Sequence, residues 1–260
     1  IVKPFMLRRT KDKVAKELPE KEEIYQRVTM SEEEMLVYEV LRRKAEAMLL
    51  TEGTGRVSMN TLAEITRLRQ CSCDIRLVEE GRSGGTGTTG SKITALVELL
   101  QTIIEGFTTD ETGKMQGGAL VFSQFTSYLA LIRQALDAVG IPYLYIDGSV
   151  DIKTRQNLVE KFQNGACPVF LISLKAGGLG LNLTRANYVI HTDPWWNPAI
   201  EAQATDRVHR IGQKQSVTVY HLIAEGTIEE KIQRLHERKQ ALVQDIFDST
   251  DMSHKLTGEE

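Results

Sequence analysis

The chain has 260 residues, of which 41% are hydrophobic and 26% are charged, and its formal net charge at pH 7 is −3. This composition is typical of a globular protein with one large domain, or with one domain and an appendage. Because the balance of charge is slightly acidic, it gives no general support for nucleic-acid binding, which has to be argued from local patches.

The first residues show no secretory signal pattern, and no apolar run approaches the roughly 18–20 residues that a membrane helix needs. We therefore expect an intracellular chain that has no membrane partner. The lack of an initiator methionine at Ile1 suggests a fragment of a longer protein. Three cysteines are too few for a disulfide framework, and the Cys71-x-Cys73 pair lacks the further ligands of a metal site, so we predict free thiols and no bound metal.

The first 90 residues predict a connector followed by a helical region. Residues 1–27 are basic and then mixed in charge, which is typical of a connector with a short helix. Ser31–Glu34 has a capping-box pattern before an apolar run, and the spacing of apolar residues predicts a second helix over 60–71. Residues 81–90 are rich in Gly, Ser and Thr and predict a flexible loop.

From residue 91 onward, apolar runs alternate with amphipathic segments. The runs that predict strands are 119–122, 143–146, 169–172, 188–191 and 217–222. The segments that predict helices are 91–105, 126–139, 152–162, 199–209 and 228–247. Apolar strands between helices are typical of a parallel sheet covered on both faces, so the sequence predicts a five-stranded, doubly wound α/β domain. Such folds bind ligands beyond the carboxyl ends of their strands.

One segment imitates a nucleotide-binding motif. Gly85–Lys92 is similar to a phosphate loop, G-x-x-x-x-G-K-[ST], but Ser91 and Lys92 stand in reversed order. No apolar strand precedes Gly85 to hold backbone N–H groups toward a phosphate, and the sequence contains no acidic D-E-x-[DH] segment for Mg²⁺. We therefore predict that the chain lacks its own triphosphate site.

The strongest chemical signal lies in residues 203–213. Arg207 and Arg210 stand three apart on a predicted helix, so both guanidinium groups should leave the same face. Two arginines at one place suit a polyphosphate, and an arginine finger stabilises the charge on a transferring phosphoryl group. The alternative is a surface helix whose arginines pair with Glu201 and Asp206.

A glycine-rich segment, residues 173–183, directly follows a predicted strand. Gly177, Gly178 and Gly180 would let the backbone approach a ligand closely and offer N–H groups to an anion. Lys175 adds a positive charge that suits a DNA phosphate. The alternative is a tight turn between a strand and a helix.

Two tryptophans lie between prolines in His191–Pro198, at the carboxyl end of a predicted strand. An indole at this place suits a wedge against the sugar edge of a DNA groove. The alternative for Trp195 and Trp196 is that each is a packing anchor.

The order of these motifs resembles the second lobe of Swi/Snf-like ATPases of helicase superfamily two. The resemblance covers about residues 91–225, and Leu68–Cys71 and Pro4–Thr10 extend it to nearly the whole chain. The further motifs that carry it are Val121–Phe125, Ile146–Ser149 with Arg155, the glycine-rich and tryptophan segments, Gln203–Gln213 and Ala224–Glu230.

The resemblance implies a RecA-like lobe that completes a nucleotide site whose phosphate loop and Mg²⁺-binding acids belong to an N-terminal lobe of the same protein. It implies ATP and Mg²⁺ as cofactors, double-stranded DNA as a partner, and no activity of this lobe by itself. The residues that it assigns are Arg207 and Arg210 as arginine fingers, Gln203 and Gly178 beside the nucleotide, and Ser123, Gln124, Arg155, Lys175 and Trp196 as contacts to DNA.

The resemblance also implies four parts of the chain. These are a connector between lobes (1–27), a helical protrusion with the flexible loop 81–90 (28–90), the helicase C-terminal lobe (91–225), and a brace helix with a tail (226–260). The expected function is translocation on, or remodelling along, duplex DNA. The expected location is the cytoplasm and nucleoid of a bacterium, or the nucleus of a eukaryote.

Three other functions account for part of the sequence. A strand-separating helicase of the same superfamily would carry the same motifs, and an unwinding assay discriminates between the two. A non-catalytic α/β module that binds DNA or protein would have no motor lobe encoded upstream. A Rossmann-type oxidoreductase is disfavoured, because no G-x-G-x-x-G lies between a first strand and its helix.

Overall fold

The structure is a computed structural model in which residues 18–52, 59–78, 89–177 and 181–239 are described. The strands in this part of the chain are β1 (Lys21–Val28), β2 (Thr108–Thr109), β3 (Met115–Gln116), β4 (Ala119–Ser123), β5 (Tyr143–Ile146), β6 (Val169–Ser173), β7 (Tyr188–His191) and β8 (Val217–Ala224). The α-helices are α1 (Glu32–Glu52), α2 (Met59–Cys73), α3 (Ser91–Glu105), α4 (Thr126–Ala138), α5 (Ile152–Gln163), α6 (Leu174–Gly177), α7 (Pro198–Thr205) and α8 (228–239).

Six parallel strands form the central sheet, in the order β1-β8-β7-β4-β6-β5. The strands β4 and β6 lie inside the sheet and every residue of both is buried, which explains their uninterrupted apolar sequences. The short strands β2 and β3 form a separate antiparallel pair. The predicted α/β fold with a parallel sheet is confirmed.

Helices cover both faces of the sheet. Leu120 and Phe122 of β4 pack in a hydrophobic cluster with α5, α6 and α7, whereas Ala119 and Val121 pack with α3 and α4 on the other face. The side chains divide in this way because successive Cβ atoms of a strand point to opposite faces. With both faces covered, the strand ends are the places where this sheet can meet a ligand.

The helices α1 and α2 pack together around a third hydrophobic cluster that includes Leu41 and Leu68. The predicted capping box begins α1: the Ser31 N–H donates to a Glu34 carboxylate oxygen at 2.8 Å, and the Glu34 N–H donates to the Ser31 hydroxyl at 3.2 Å. The other Glu34 oxygen accepts the backbone N–H of Ser91 at 2.9 Å. This carboxylate therefore ties the first helix to the start of α3.

A buried ion pair joins α3 to α8. The Lys92 ammonium lies 2.5 and 2.7 Å from the two oxygens of Glu229, and the two side chains are 2% and 1% exposed. Glu229 also accepts the Ala224 N–H at 2.9 Å. Lys92 is the lysine of the segment that imitates a phosphate loop, so its charge is neutralised inside the protein. Residues 85–88 of that segment, and residues 81–84 of the predicted flexible loop, lie outside the described residues.

Two expectations about the elements were wrong. The sheet has a sixth strand, because β1 pairs with β8 in parallel register from Lys21–Val217 to Val28–Ala224. The helix predicted over 199–209 ends at Thr205, because the chain tightens into i→i+3 turns there.

Three further points bear on the predicted elements. The β2–β3 hairpin was not predicted. Residues 240–247 of the last predicted helix, and residues 1–17 of the predicted connector, lie outside the described residues. Within the described ranges, every helix is too short or too polar to cross a membrane.

Candidate functional site

A crevice opens at the carboxyl ends of β4 and β6. The two strands are neighbours in the sheet, yet α4 follows β4 on one face and α6 follows β6 on the other. Diverging connections of this kind create the ligand crevice of open α/β sheets. The loop after β7 borders the same crevice.

A cleft of about 440 Å³ lies there. Gln124, Lys175 and Gln203 line it together, although they follow different strands and the sequence assigned them to DNA or nucleotide. The rest of the described lining is apolar and consists of Phe125, Leu174, Trp195 and Ile200. An apolar surface with a few convergent polar groups is typical of a binding site.

Gln124 brings an unsatisfied polar group to the cleft. Its side-chain N–H₂ is buried and has no hydrogen-bond partner among the described residues. Its backbone N–H donates to the Asp193 carboxylate at 3.3 Å. An unpaired buried amide costs about 1–3 kcal/mol, so this side chain suits a site that a ligand completes.

Ser123 does not reach the surface of the cleft. Its side chain is buried, the residue is 1% exposed, and its hydroxyl oxygen accepts the Phe125 N–H at 3.1 Å. The expected DNA contact of this hydroxyl stays a prediction, and in this structure the hydroxyl is used within the protein. Ser123 shapes the turn that carries Gln124.

Lys175 and Gln203 are exposed residues on two short helices. Lys175 stands in α6, directly after β6, and Gln203 stands near the end of α7. Their side chains are accessible to a ligand in the cleft. Gly178 lies outside the described residues, so its place beside the nucleotide stays a prediction.

The residues 194–197, which we call the tryptophan loop, close one side of the cleft. Trp195 lines it, and Trp196 is 37% exposed. The loop backbone is held from two helices: Glu201 of α7 accepts the Trp195 N–H at 2.5 Å, and a ring nitrogen of His236 in α8 lies 2.5 Å from the Trp195 carbonyl oxygen. The two indoles thus differ, since one is part of the wall and the other reaches solvent.

Burial raises the pKa of the Glu201 carboxyl from 4.5 to about 7, although its hydrogen bond from the Trp195 N–H opposes the shift. The imidazole of His221 lies 3.7 Å from the carboxyl and also favours its charged form. Near neutral pH, Glu201 is therefore divided between its protonated and ionised forms.

Arg69 is a residue of this site that the sequence did not assign. It lies in α2 and is 4% exposed, and its guanidinium carbon is 5.6, 5.4 and 5.1 Å from the ring centroids of Phe125, Trp195 and Trp196. It also donates to the Pro194 carbonyl oxygen at 2.6 Å. The sequence carries no signal for this role, because Arg69 stands between Leu68 and Gln70 on a predicted helix and nothing there indicates that its side chain is buried.

The two arginines of the strongest motif lie in turns that follow α7. Arg207 is partly buried and Arg210 is exposed. The backbone of this segment is fixed, because the Arg207 carbonyl accepts the Leu183 N–H at 3.2 Å and a His209 ring nitrogen lies 2.8 Å from the Pro19 carbonyl oxygen. The expectation of a shared helical face was wrong, but Arg210 is accessible to a nucleotide bound outside this lobe.

Arg155 is not brought to the cleft. It lies in α5, donates to the Val150 carbonyl oxygen at 2.9 Å, and lines a separate cleft of about 630 Å³. The other described residues of that cleft are Ile152, Gln156, Val159, Glu160, Leu181 and Asn182. A DNA contact of Arg155 would therefore require a duplex that extends beyond the first cleft.

Cys71 and Cys73 are buried free thiols in α2. Burial raises the pKa of the Cys73 thiol well above its usual value. The Cys73 thiol is therefore held in its neutral form, and both residues pack as small apolar groups.

Two family models match the chain. The helicase conserved C-terminal domain matches residues 91–212, and the SNF2-related domain matches residues 1–77. Together with the parallel sheet and its crevice, these matches define a RecA-like lobe of helicase type.

Curated relatives and solved structures agree with that class. A Bacillus subtilis protein named as the ATP-dependent helicase/translocase YwqA is 37% identical over 265 residues, which are 100% of this chain and 28% of that protein. The Mycoplasma genitalium ATP-dependent helicase MG018 is 37% identical, over 97% of this chain and 24% of its own length. The chain thus spans about a quarter of the length of these relatives.

The Sulfolobus solfataricus SWI2/SNF2 ATPase core, in a structure with double-stranded DNA, superposes with a TM-score of 0.70 and 31% identity, over 96% of this chain and 51% of that chain. The C-terminal domain of a Sulfolobus solfataricus SWI2/SNF2 ATPase superposes with a TM-score of 0.66 and 27% identity, over 87% and 90% of the two chains. The chain belongs to the Swi2/Snf2 family of ATPases and has the fold of its C-terminal lobe.

Proposed function

We propose that this chain is the C-terminal lobe of an ATP-dependent translocase that moves along double-stranded DNA. The observation that carries the proposal is that two candidate surfaces share one short helix, α7. The tryptophan loop precedes this helix, Gln203 enters the cleft from it, and Arg210 is exposed five residues after its end. A helix of eight residues is only about 12 Å long, so a shift at one end is passed to the other.

The cleft and the tryptophan loop beside it provide contacts that suit the backbone of a duplex. Lys175 offers a positive charge, Gln124 an unpaired amide, and Trp196 an exposed indole. Such groups bind phosphates and sugar edges, and they carry little sequence information. The fold that the chain shares with the Sulfolobus ATPase core, whose structure contains double-stranded DNA, supports the choice of duplex as partner.

Arg207 and Arg210 would complete a nucleotide site whose other wall belongs to an N-terminal lobe. The exposure of Arg210 fits a phosphate that approaches from outside this lobe. ATP, bound with Mg²⁺, supplies the phosphoryl transfer whose developing charge an arginine stabilises. Within the described residues, no group of three acidic, histidine or cysteine side chains could hold a metal ion, which supports placing Mg²⁺ on the other lobe.

In this proposal the two lobes hold the same duplex at different spacings and advance along it as nucleotide binds and leaves. The protein then belongs where duplex DNA is, in the nucleoid of a bacterium or the nucleus of a eukaryote. DNA repair proteins named RAD5 are among its relatives, one of them 47% identical over 60% of this chain, which supports a role at protein–DNA complexes.

The test is the Arg210→Ala substitution in the full-length protein that carries this chain. Loss of an arginine finger should lower the maximal rate of DNA-stimulated ATP hydrolysis by at least about 100-fold. The affinity for double-stranded DNA should change less than about threefold, because Arg210 lies outside the cleft.

Arg234→Ala is the matched control, since Arg234 is an exposed arginine of α8 that pairs with Glu230 on the surface. It should retain the wild-type rate. Normal turnover in Arg210→Ala would refute the assignment of the finger. Separation of the strands of a duplex by the wild-type enzyme would favour a strand-separating helicase over a duplex translocase.

A further inference from the structure

The tryptophan loop is attached to the helical hairpin α1–α2 through one side chain, that of Arg69. This residue stands 125 positions before Pro194, whose carbonyl oxygen it binds at 2.6 Å. Its guanidinium group lies close to the faces of three aromatic rings, those of Phe125, Trp195 and Trp196. The hairpin thus contacts the cleft at the point where its aromatic wall is formed.

Arg69 is a buried charge with an incomplete set of partners. Its Nε–H has no hydrogen-bond partner among the described residues, and burial lowers the pKa of the guanidinium group, although the nearby Asp193 carboxylate opposes this. Arg185 is also partly buried with an unpaired Nε–H, so these features do not by themselves mark a function. What sets Arg69 apart is the set of aromatic rings at the cleft that it lies over.

The other polar contacts of the loop hold its backbone, and the Trp195 ring also packs against the hydrophobic cluster beneath α7. Glu201 accepts the Trp195 N–H, His236 binds the Trp195 carbonyl, and the Lys239 ammonium lies 3.3 Å from the Trp196 carbonyl oxygen. In the described part of the chain, Arg69 is the cation that lies over both indoles, with its guanidinium carbon 5.4 and 5.1 Å from their centroids. A guanidinium group held over a ring restricts the tilt of that ring, which a backbone hydrogen bond does not do.

We propose that Arg69 is a positioning residue that sets the orientation of Trp195 and Trp196, so that engagement of the duplex depends on the helical hairpin. This inference rests on the proposed function, because the exposed Trp196 is the group that would meet the DNA. Arg69 itself is buried and contacts no ligand. Its effect on DNA passes through the two indoles.

The experiment is a titration of ATP hydrolysis with double-stranded DNA in the full-length protein. Arg69→Met keeps the length of the side chain and removes its charge and planar group. The DNA concentration that gives half-maximal stimulation should rise about 10-fold, whereas the maximal rate at saturating DNA should change less than about twofold. A fall in the maximal rate with an unchanged half-maximal concentration would contradict a role in duplex engagement.

Arg69→Lys and Trp196→Ala separate positioning from folding. The lysine variant keeps the charge without the planar stack and should show an intermediate shift. The double variant Arg69→Met/Trp196→Ala should have the same half-maximal DNA concentration as Trp196→Ala, because Arg69 acts through that indole. Additive effects of the two substitutions would overturn the proposal, even if Arg69→Met lowered the stability of the protein.

Arg133→Met provides the matched control. Arg133 of α4 also lies over two rings, 6.0 and 4.8 Å from the centroids of Tyr143 and Tyr145, but at the β5 edge of the sheet. It should leave the DNA titration unchanged, and an equal shift would contradict the special role of Arg69. A wild-type enzyme without DNA-stimulated hydrolysis would refute the proposed function as well, whereas a normal titration of Arg69→Met in a DNA-stimulated enzyme refutes only this inference.

Discussion

The two ends of the central sheet use their polar side chains in opposite ways. At the amino end, the Arg185 guanidinium stacks 4.4 Å from the Phe162 ring and donates to the carbonyl oxygens of Phe162 and Cys167 at 2.8 and 2.9 Å. Near it, Asn187 accepts the Gly118 N–H at 3.1 Å. These side chains satisfy the protein's own backbone.

At the carboxyl end, polar side chains are left for a ligand. Gln124 has an unpaired amide, and Lys175 and Gln203 are exposed. The contrast shows that exposure or charge by itself does not identify a functional residue. What distinguishes the carboxyl end is that its polar groups converge on one cleft.

Arg185→Ala should produce the largest change in stability, because it removes two charge-assisted hydrogen bonds and a cation–π contact. We expect the free energy of unfolding to fall by about 3 kcal/mol. Urea denaturation followed by circular dichroism measures this directly. A loss below about 1 kcal/mol would mean that the contacts of Arg185 with the backbone and with Phe162 do not stabilise the amino end as described above.

Glu201→Gln should have a smaller and pH-dependent effect. Burial raises the pKa of Glu201 in the folded protein to about 7 from an ordinary value of 4.5, so the folded state binds this proton more tightly than the unfolded chain. The contribution of Glu201 to stability therefore falls as pH rises from 4.5 to 7 and is constant above that window. The glutamine amide oxygen can still accept the Trp195 N–H, but it does not ionise.

Glu201→Gln should thus raise the free energy of unfolding more at high pH than at low pH. The increase at pH 7.5 should exceed the increase at pH 4.5 by roughly 2–3 kcal/mol. Denaturation curves of both proteins at the two pH values give this difference, from which the contributions of groups common to both proteins largely cancel. An equal gain at both pH values would show that the Glu201 carboxyl is not held neutral by burial.

Lys175→Ala should have the smallest effect on the fold. The residue is exposed, so the free energy of unfolding should change by less than about 0.5 kcal/mol. The affinity for duplex DNA should nevertheless fall. In a plot of the logarithm of the binding constant against the logarithm of the salt concentration, the magnitude of the slope should decrease by about one. Lys114→Ala, in the exposed β2–β3 hairpin at the amino end, should leave both quantities unchanged, and equal effects of the two would remove the distinction between the ends.

The parts of the fold that the sequence predicted are those with strong local patterns. The apolar runs located β4 to β8, and the Ser31–Glu34 pattern located the start of α1. The strand β1 was missed because it lies at the edge of the sheet, where most of its side chains are exposed and its sequence, KEEIYQRV, is polar. Its strand conformation comes from pairing with β8, almost 200 residues away.

The candidate site shows the same division. Gln124, Lys175 and Gln203 could be chosen from motifs because each follows a predicted strand or lies on a predicted helix. Arg69 could not be chosen from a motif, since its role depends on contacts that only the folded chain makes. The end of α7 at Thr205 was also missed, because turn formation there depends on contacts such as that between Arg207 and Leu183.

The central claim is that the two ends of α7 serve different ligands, with duplex DNA before the helix and nucleotide after it. The most direct test is one titration of ATP hydrolysis with double-stranded DNA, in which Lys175→Ala and Arg210→Ala of the full-length protein are compared. Lys175→Ala should raise the half-maximal DNA concentration and keep the maximal rate, while Arg210→Ala should abolish the maximal rate and keep DNA affinity. If both variants lost the same property, the cleft and the arginine turn would be one site and the account would be wrong.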